Sequence, residues 1–317
     1  MNIYDEIKKP IIALSPMEDV TDTVFRQIVM SVGRPDVFFT EFVNVEGLNS
    51  KGKEKVIHRL QYTKEEKPIV AQLWGVKPEN FLYGAKLVKE MGFEGVDINM
   101  GCSVKNVVKN NAGSGLINAD RQLVVDIIKA TKEGAQDIPV SVKTRLGFEY
   151  PDIEGWIGFL LEQQLDLLTV HMRTAKGEGA IHANWEYTEE IVKLRNQKNS
   201  STLLFGNGDI KSIKQGKELS EKYKIDGVMI GREAIYNPWV FSEREEISQK
   251  EKFILFEKHL QLFEKTWGES KDFHSLKKFF KAYVNDFGGS ALLRSRLMSC
   301  NDFGEVSNII DEELKNI

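Results

Sequence analysis

Cys102 sits where an apolar run breaks into glycine and polar residues, and a thiol so placed can meet a ligand. In GVDINMGCSVKNVVKNNAGSGL, residues 95–116, Val96 and Ile98 alternate with Asp97 and Asn99, and Gly101 ends the run in a loop rich in Asn, Lys and Gly. The bland alternative for Cys102 is a small buried hydrophobe, the commonest fate of a free cysteine. The glycine before it and the polar residues after it oppose burial. Other apolar runs end in the same manner, at Met17-Glu18, Glu41, Gln72, Lys143, His171 and Asn207-Gly208-Asp209. Taken singly, each is what a strand does on reaching water. Gln, Lys, His and Asn facing one cavity would instead line a site for a planar heterocycle. Two later pieces, FGNGDI at 205–210 and VMIGRE at 228–233, set glycines beside Arg232. They read either as tight turns or as a phosphate cradle, with backbone N–H groups and a bidentate guanidinium for the anion.

The elements that must position these residues recur along the chain. Apolar runs at 11–17, 37–42, 69–74, 96–99, 140–146, 167–171, 203–206 and 228–230 predict eight strands. Most are separated by segments with helical spacing, at 21–32, 78–91, 123–133, 153–163, 187–195 and 210–223. That alternation predicts an α/β fold, a (β/α)₈ TIM barrel, in which the polar C-terminal strand ends share one mouth and the loops after strands seven and eight often bind phosphate. The polar stretch 46–63 reads as a long loop. From about Ser242 the rhythm stops and helical segments follow at 253–267, 273–286 and 291–299. The expected division is therefore a barrel domain over 1–242 and an all-helical domain over 243–317. Within the latter, residues 276–298 carry Lys277, Lys278, Lys281, Arg294 and Arg296 against the single acid Asp286, as a solvated helix face or as a surface for phosphates, although the domain as a whole is not basic.

Composition limits the alternatives. No apolar run approaches the roughly 20 residues of a membrane helix, and MNIYDEIKKP lacks a signal-peptide core, so a cytoplasmic location without membrane attachment is expected. Without a secretory context, Cys102 and Cys300 read as thiols. A formal net charge of −4 confines any nucleic-acid surface to a local patch. The five histidines and two cysteines show no ligand spacing, so no metal is expected, and no stable protein partner is expected either.

The loop around Cys102 resembles the active-site loop of the tRNA-dihydrouridine synthases, an Asn-x-Gly-Cys-Pro run followed by Lys and a glycine-rich turn. Ser103 stands where that family usually has a proline, which would stiffen the loop. The resemblance covers nearly the whole chain in order, and it implies a barrel that binds FMN, with a C-terminal helical domain that binds tRNA. It implies that Ser15, Pro16 and Met17 lie against the isoalloxazine, and that Gln72 in AQLWG meets the polar edge of the flavin. Lys143 in VKTRLG, and His171, Arg173 and Thr174 in VHMRT, take flavin and substrate positions, with Asn99 matching the uracil imide edge. Asn207, Gly208 and Asp209, with Gly231 and Arg232, form the phosphate cradle, and GREAIYNPWVF is similar to the family's run after the eighth strand. The segment AKGEGAIHANW after Thr174 departs from the family pattern.

The implied chemistry is reduction of uridine to 5,6-dihydrouridine, with a reduced nicotinamide cofactor, expected to be NADPH, as transient electron donor. Hydride goes to C6 of the ring and C5 needs a proton, which Cys102 can give because a thiol of pKa roughly 8.5 is mostly protonated near neutral pH. Lys143 would stabilise negative charge on the reduced flavin. Lys277, Lys278, Lys281, Arg294 and Arg296 would clamp tRNA. Two other readings stay open: an FMN barrel acting on a free pyrimidine or activated alkene, and a non-catalytic RNA-binding barrel.

Overall fold

All eight apolar runs form strands: β1 (Ile11–Leu14), β2 (Phe38–Asn44), β3 (Ile69–Trp74), β4 (Gly95–Met100), β5 (Val140–Arg145), β6 (Leu167–His171), β7 (Leu203–Asn207) and β8 (Gly227–Ile230). The structure, a computed structural model, describes residues 2–177, 181–268 and 270–317. Residues 178–180, within the divergent segment, lie outside the described residues. The strands pair in parallel in the order β1-β8-β7-β6-β5-β4-β3-β2. The two ends meet where Ala13 bridges Val37 and the Leu14 N–H donates to the Val37 carbonyl at 3.2 Å. The result is the expected (β/α)₈ barrel. Its strands are covered on both faces, which is why they read as nearly unbroken apolar runs.

Strand alternation divides the barrel interior into two layers. At the N-terminal end Ile11, Phe39, Val70, Phe205 and Met229 form an apolar floor with Tyr4, whose ring meets Phe205 edge-on at 6.2 Å. Two residues further along β3 to β7, the same inward face turns polar. The 46–63 stretch is neither a plain loop nor a regular helix. It holds the end of a short helix, Val45–Leu48, and two single turns, Lys53–Lys55 and Ile57–Leu60.

The chain groups into two compact units, Met1–Thr21 with Pro35–Gly231, and Asp22–Arg34 with Arg232–Ile317. This grouping differs from a division at 242/243 in one main respect: helix Thr23–Val32 joins the C-terminal helices. Its apolar stripe is the cause, for Phe25 stacks on Phe279 at 5.0 Å, and Asp22, which caps the helix through the Phe25 N–H, also pairs with Lys271 at 2.7 Å. The second unit further contains helices Gln249–Trp267, Ser290–Ser299 and Phe303–Lys315. The predicted helix over 273–286 is a tight turn, Phe273–Phe279, running into a short helix, Phe280–Tyr283.

At the core of this unit His259 is buried, with Nδ1 2.7 Å from the Tyr283 hydroxyl. Burial holds its pKa down at about 4, against an ordinary 6.5. The unfolded chain therefore takes up this proton first, so stability present above pH 6.5 is lost as pH falls toward 4, by about 3 kcal/mol in all. Denaturant melts across that window are expected to show a steeper loss in the natural chain than in His259→Gln. Equal slopes would contradict it.

Candidate active site

Strand register assembles the polar layer. Gln72 on β3 lies beside Asp97 on β4, and Asp97 beside Ser141 on β5. One step nearer the mouth Asn99 neighbours Lys143, and Lys143 neighbours Thr169 on β6. At the rim Arg145, His171 and Asn207 are consecutive across β5, β6 and β7. Gln72, Asn99, Lys143, His171 and Asn207 thus meet at one end of one barrel, as their spacing predicts. Asp97, Ser141, Thr169 and Arg145 join them. The signal for these four is the two-residue period of β4 to β6, which gives them the same face as Asn99, Lys143 and His171.

A continuous set of hydrogen bonds runs from the interior to the cysteine loop. The Ser141 hydroxyl donates to Asp97 Oδ1 at 2.5 Å, and Gln72 Nε2 donates to Asp97 Oδ2 at 2.6 Å. Asn99 Nδ2 donates to Gln72 Oε1 at 2.9 Å, and Asn99 Oδ1 accepts from the backbone N–H of Gly101 at 3.1 Å and of Cys102 at 2.9 Å. The expectation that Asn99 offers a donor and an acceptor to a uracil edge is corrected here. Both lone pairs of its oxygen are taken by the loop, so only an N–H remains for a ligand.

Cys102 is half-buried on this loop, and burial raises its thiol pKa against the opposing pull of a backbone hydrogen bond and of Arg145. The thiol is therefore protonated at neutral pH. Gly113 braces the loop from below: its φ is +56°, and a Cβ there would stand 2.8 Å from the Cys102 carbonyl oxygen, so no other residue fits without moving the loop. Where proline would have stiffened position 103, Arg145 spans the gap. Its Nε donates to the Gly101 carbonyl at 2.7 Å, Nη1 to the Thr174 carbonyl at 3.0 Å and Nη2 to the Ser103 hydroxyl at 3.3 Å.

Lys143 donates to Asn207 Oδ1 at 3.1 Å, and Asn207 in turn donates to the Met229 carbonyl at 2.8 Å. Desolvation, followed by the nearby Arg145 charge, lowers the Lys143 pKa to about 8, while burial lifts Asp97 to about 6. At neutral pH both are charged, and the layer carries an ammonium within a low-dielectric enclosure. Thr169 Oγ1, beside Lys143 in register, is buried without a hydrogen-bond partner among the described residues.

Arg173 and Asp209 are placed otherwise than expected. Arg173 is 5% exposed, and each of its three nitrogens is engaged by the protein. Nε donates to the Ile181 carbonyl, Nη1 lies 2.8 Å from His171 Nε2, and Nη2 reaches both Asp209 oxygens at 2.6 and 2.5 Å. Four of the five guanidinium N–H groups are thus directed at Ile181, His171 and Asp209, and the side chain supports His171. A guanidinium only donates, so His171 Nε2 is the acceptor side of this contact. The Asp209 carboxylate, which would repel a phosphate, is likewise absorbed by Arg173 and the Ala183 N–H at 2.9 Å. Gly208, at φ +129°, packs against the His171 ring, and a Cβ on Gly231 would find nothing nearer than 3.5 Å. Ser15 is buried, with its N–H on the Ile230 carbonyl at 2.8 Å, Pro16 follows it, and the Met17 N–H donates to Thr21 Oγ1 at 2.9 Å. Arg232 belongs with the second unit and is exposed.

In the second unit the cluster is partly occupied. Lys277 donates to the Met298 carbonyl and Arg294 to the Val284 carbonyl, both at 2.7 Å, and Arg296 pairs with Glu312 at 2.9 Å. Lys278 and Lys281 hold their ammoniums over the rings of Phe279 and Tyr236 at 5.5 and 5.6 Å, and Lys281 is exposed. Among the described residues, no group of three metal-ligating side chains forms, and no helix is long and apolar enough to cross a membrane.

A barrel with an apolar floor, a cationic polar layer above it and a neutral thiol at its rim is built as an enzyme, and its scaffold has solved counterparts. Morphinone reductase in complex with tetrahydroNAD superposes with a TM-score of 0.51 over 72% of this chain and 84% of that one, at 13% identity. The old yellow enzyme homologue from Zymomonas mobilis does so with a TM-score of 0.51 over 75% and 89%, at 12% identity. At such identities the likeness is one of fold. Sequence is more specific: the chain belongs to the dihydrouridine synthase (Dus) family, whose profile matches residues 12–317. It is 45% identical over 315 residues to a probable tRNA-dihydrouridine synthase of Staphylococcus aureus, covering 98% of this chain and 95% of that protein. It is 43% identical to probable tRNA-dihydrouridine synthase 2 of Bacillus subtilis, covering 98% and 96%.

Proposed function

We propose that this chain reduces specific uridines of tRNA to 5,6-dihydrouridine in the cytoplasm, using FMN as resident cofactor and NADPH as electron donor. The observation that carries the proposal is the neutral Cys102 thiol, tethered through Asn99 to the polar layer that holds Lys143. The residues fit a flavin. The layer offers a cation at Lys143 and the orphaned Thr169 hydroxyl. Gln72, Lys143 and His171 would hold the ring against Ser15, Pro16 and Met17, and Asn207, Gly208 and Gly231 would hold the phosphate. Bound there and reduced by NADPH, FMN would supply the hydride for C6 of the uracil.

The chain's own residues do the rest. Cys102 Sγ–H gives its proton to C5, and the resulting thiolate is reprotonated from solvent. Arg145 keeps the loop in place meanwhile, through Gly101 and Ser103. Lys143 supplies positive charge that needs no reorganisation as negative charge develops on the ring ligand. Arg173 orients His171 through the contact of Nη1 with its Nε2.

A uridine in folded tRNA must leave its stack to reach this layer, at a cost of a few kcal/mol that interactions with the RNA backbone must offset. Lys278 and Lys281, with Lys277 beside them, are the cations we assign to that task. Replacing all three by Gln is expected to weaken tRNA binding and to make log K fall less steeply with log salt, by about one unit for each phosphate no longer neutralised. An unchanged salt slope would remove the patch from the account. The function itself is tested by incubating the flavin-loaded chain with NADPH and tRNA from cells lacking dihydrouridine, then digesting the tRNA for nucleoside mass spectrometry. Dihydrouridine formed only when all components are present is the expected result, and its absence would overturn the proposal.

A further inference from the structure

We infer that Asp97 is a positioning residue that anchors a one-way chain of amides, Gln72 and then Asn99, and through it holds the backbone of Cys102. The inference deepens the reading above, and its bearing on proton transfer rests on that reading.

Donor and acceptor chemistry alone fixes the direction. The N–H groups of Gly101 and Cys102 can only donate, so the Asn99 atom they share is Oδ1. Asn99 must then turn its NH₂ to Gln72, which answers with Oε1 and turns its own NH₂ to Asp97. An ionised carboxylate only accepts, and Asp97 takes the Gln72 N–H on one oxygen and the Ser141 hydroxyl on the other. Each amide is thus forced from both ends. All four side chains are buried, so an amide that loses its acceptor here has no water to turn to. What the pair still offers to the cavity is one N–H from Gln72 and one from Asn99. The ligand edges that meet them must present acceptors, such as carbonyl oxygens or an unprotonated ring nitrogen.

The test is hydrogen exchange at the Gly101 and Cys102 amides of the full-length chain, with flavin bound and after its removal. Asp97→Ala is expected to speed exchange there about 10-fold, the equivalent of one hydrogen bond removed, with the second unit's protection unchanged. Asp97→Asn, which keeps an acceptor toward Gln72, is expected to restore most of it. Gln72→Leu cuts the chain in its middle. If Asp97 acts through Gln72, Asp97→Ala/Gln72→Leu is no faster in exchange than either single variant. Should the alanine variant fail to fold, Asp97→Val fills the site without an acceptor and carries the same expectation. Unchanged exchange in a folded Asp97 variant, or additive effects in the double variant, would overturn the inference. Exchange needs no substrate: coupling without dihydrouridine formation would sink the proposed function and leave the positioning role standing.

Discussion

Cys102→Ala is expected to leave FMN bound and reducible by NADPH while slowing the reduction of uridine in tRNA by about 10²- to 10⁴-fold, the span of a general acid. The split between the two half-reactions is the informative part. The thiol belongs to a loop fixed by Asn99, Arg145 and the Cys102–Ser114 backbone bond at 2.9 Å, none of which depends on Sγ. Removing one sulfur therefore leaves the layer beneath intact. Burial keeps the thiol protonated above its usual pKa, so the acid form is present throughout the neutral range. Rapid-mixing absorbance of each half-reaction separately checks this. Equal slowing of both, or of neither, would contradict a proton-donor role.

Lys143→Met is expected to cost about 10²- to 10³-fold in the same reduction, the magnitude of one preorganised electrostatic group, and to weaken FMN binding as well. The effect should depend on pH with a definite sign. An ordinary lysine stays charged to 10.5, whereas desolvation and the Arg145 charge hold Lys143 at about 8. The ammonium is present below about pH 8 and lost above it, so the natural chain's affinity for FMN should fall as pH rises through that value. Lys143→Met has no proton to lose, and its affinity should be low and flat across the same window. Fluorescence titration of the apoprotein with FMN at a series of pH values distinguishes the two. A natural chain with no alkaline loss would show that Lys143 does not carry the charge proposed for it.

The barrel is legible in the sequence because its strands are covered on both faces and separated by helical spacing. Ile69–Trp74 and Leu167–His171 coincide with their runs to the residue, and the polar ends of β3 to β7 point to one mouth. What escapes depends on partners brought in by the fold. Gln72 and Asp97 are 25 residues apart, and only the β3–β4 register makes them neighbours. Asn99 reads as an edge open to a ligand because nothing in the sequence shows that two backbone N–H groups occupy its oxygen. The engagement of Arg173 escapes for a similar reason, since it requires Asp209, His171 and Ile181 to converge on it. Ser103 alone would only loosen the loop, and Arg145 is what comes within reach of its hydroxyl. Helix Phe303–Lys315, absent from the expected elements, nonetheless carries a readable signal: Asp302 accepts from the Glu305 N–H as a cap, and Val306, Ile309 and Ile310 form its buried stripe. The grouping of Thr23–Val32 with the C-terminal helices is not readable, because an apolar stripe does not say which surface it will meet.

The most direct test of the central claim is to reduce the flavin-loaded chain with NADPH in the absence of oxygen, add tRNA lacking dihydrouridine, and follow flavin reoxidation by its visible absorbance. Rapid reoxidation by tRNA, absent with free uridine and slowed in Cys102→Ala, is the expected result. A reduced flavin that ignores tRNA, or is reoxidised equally fast by a free pyrimidine or an activated alkene, would contradict it.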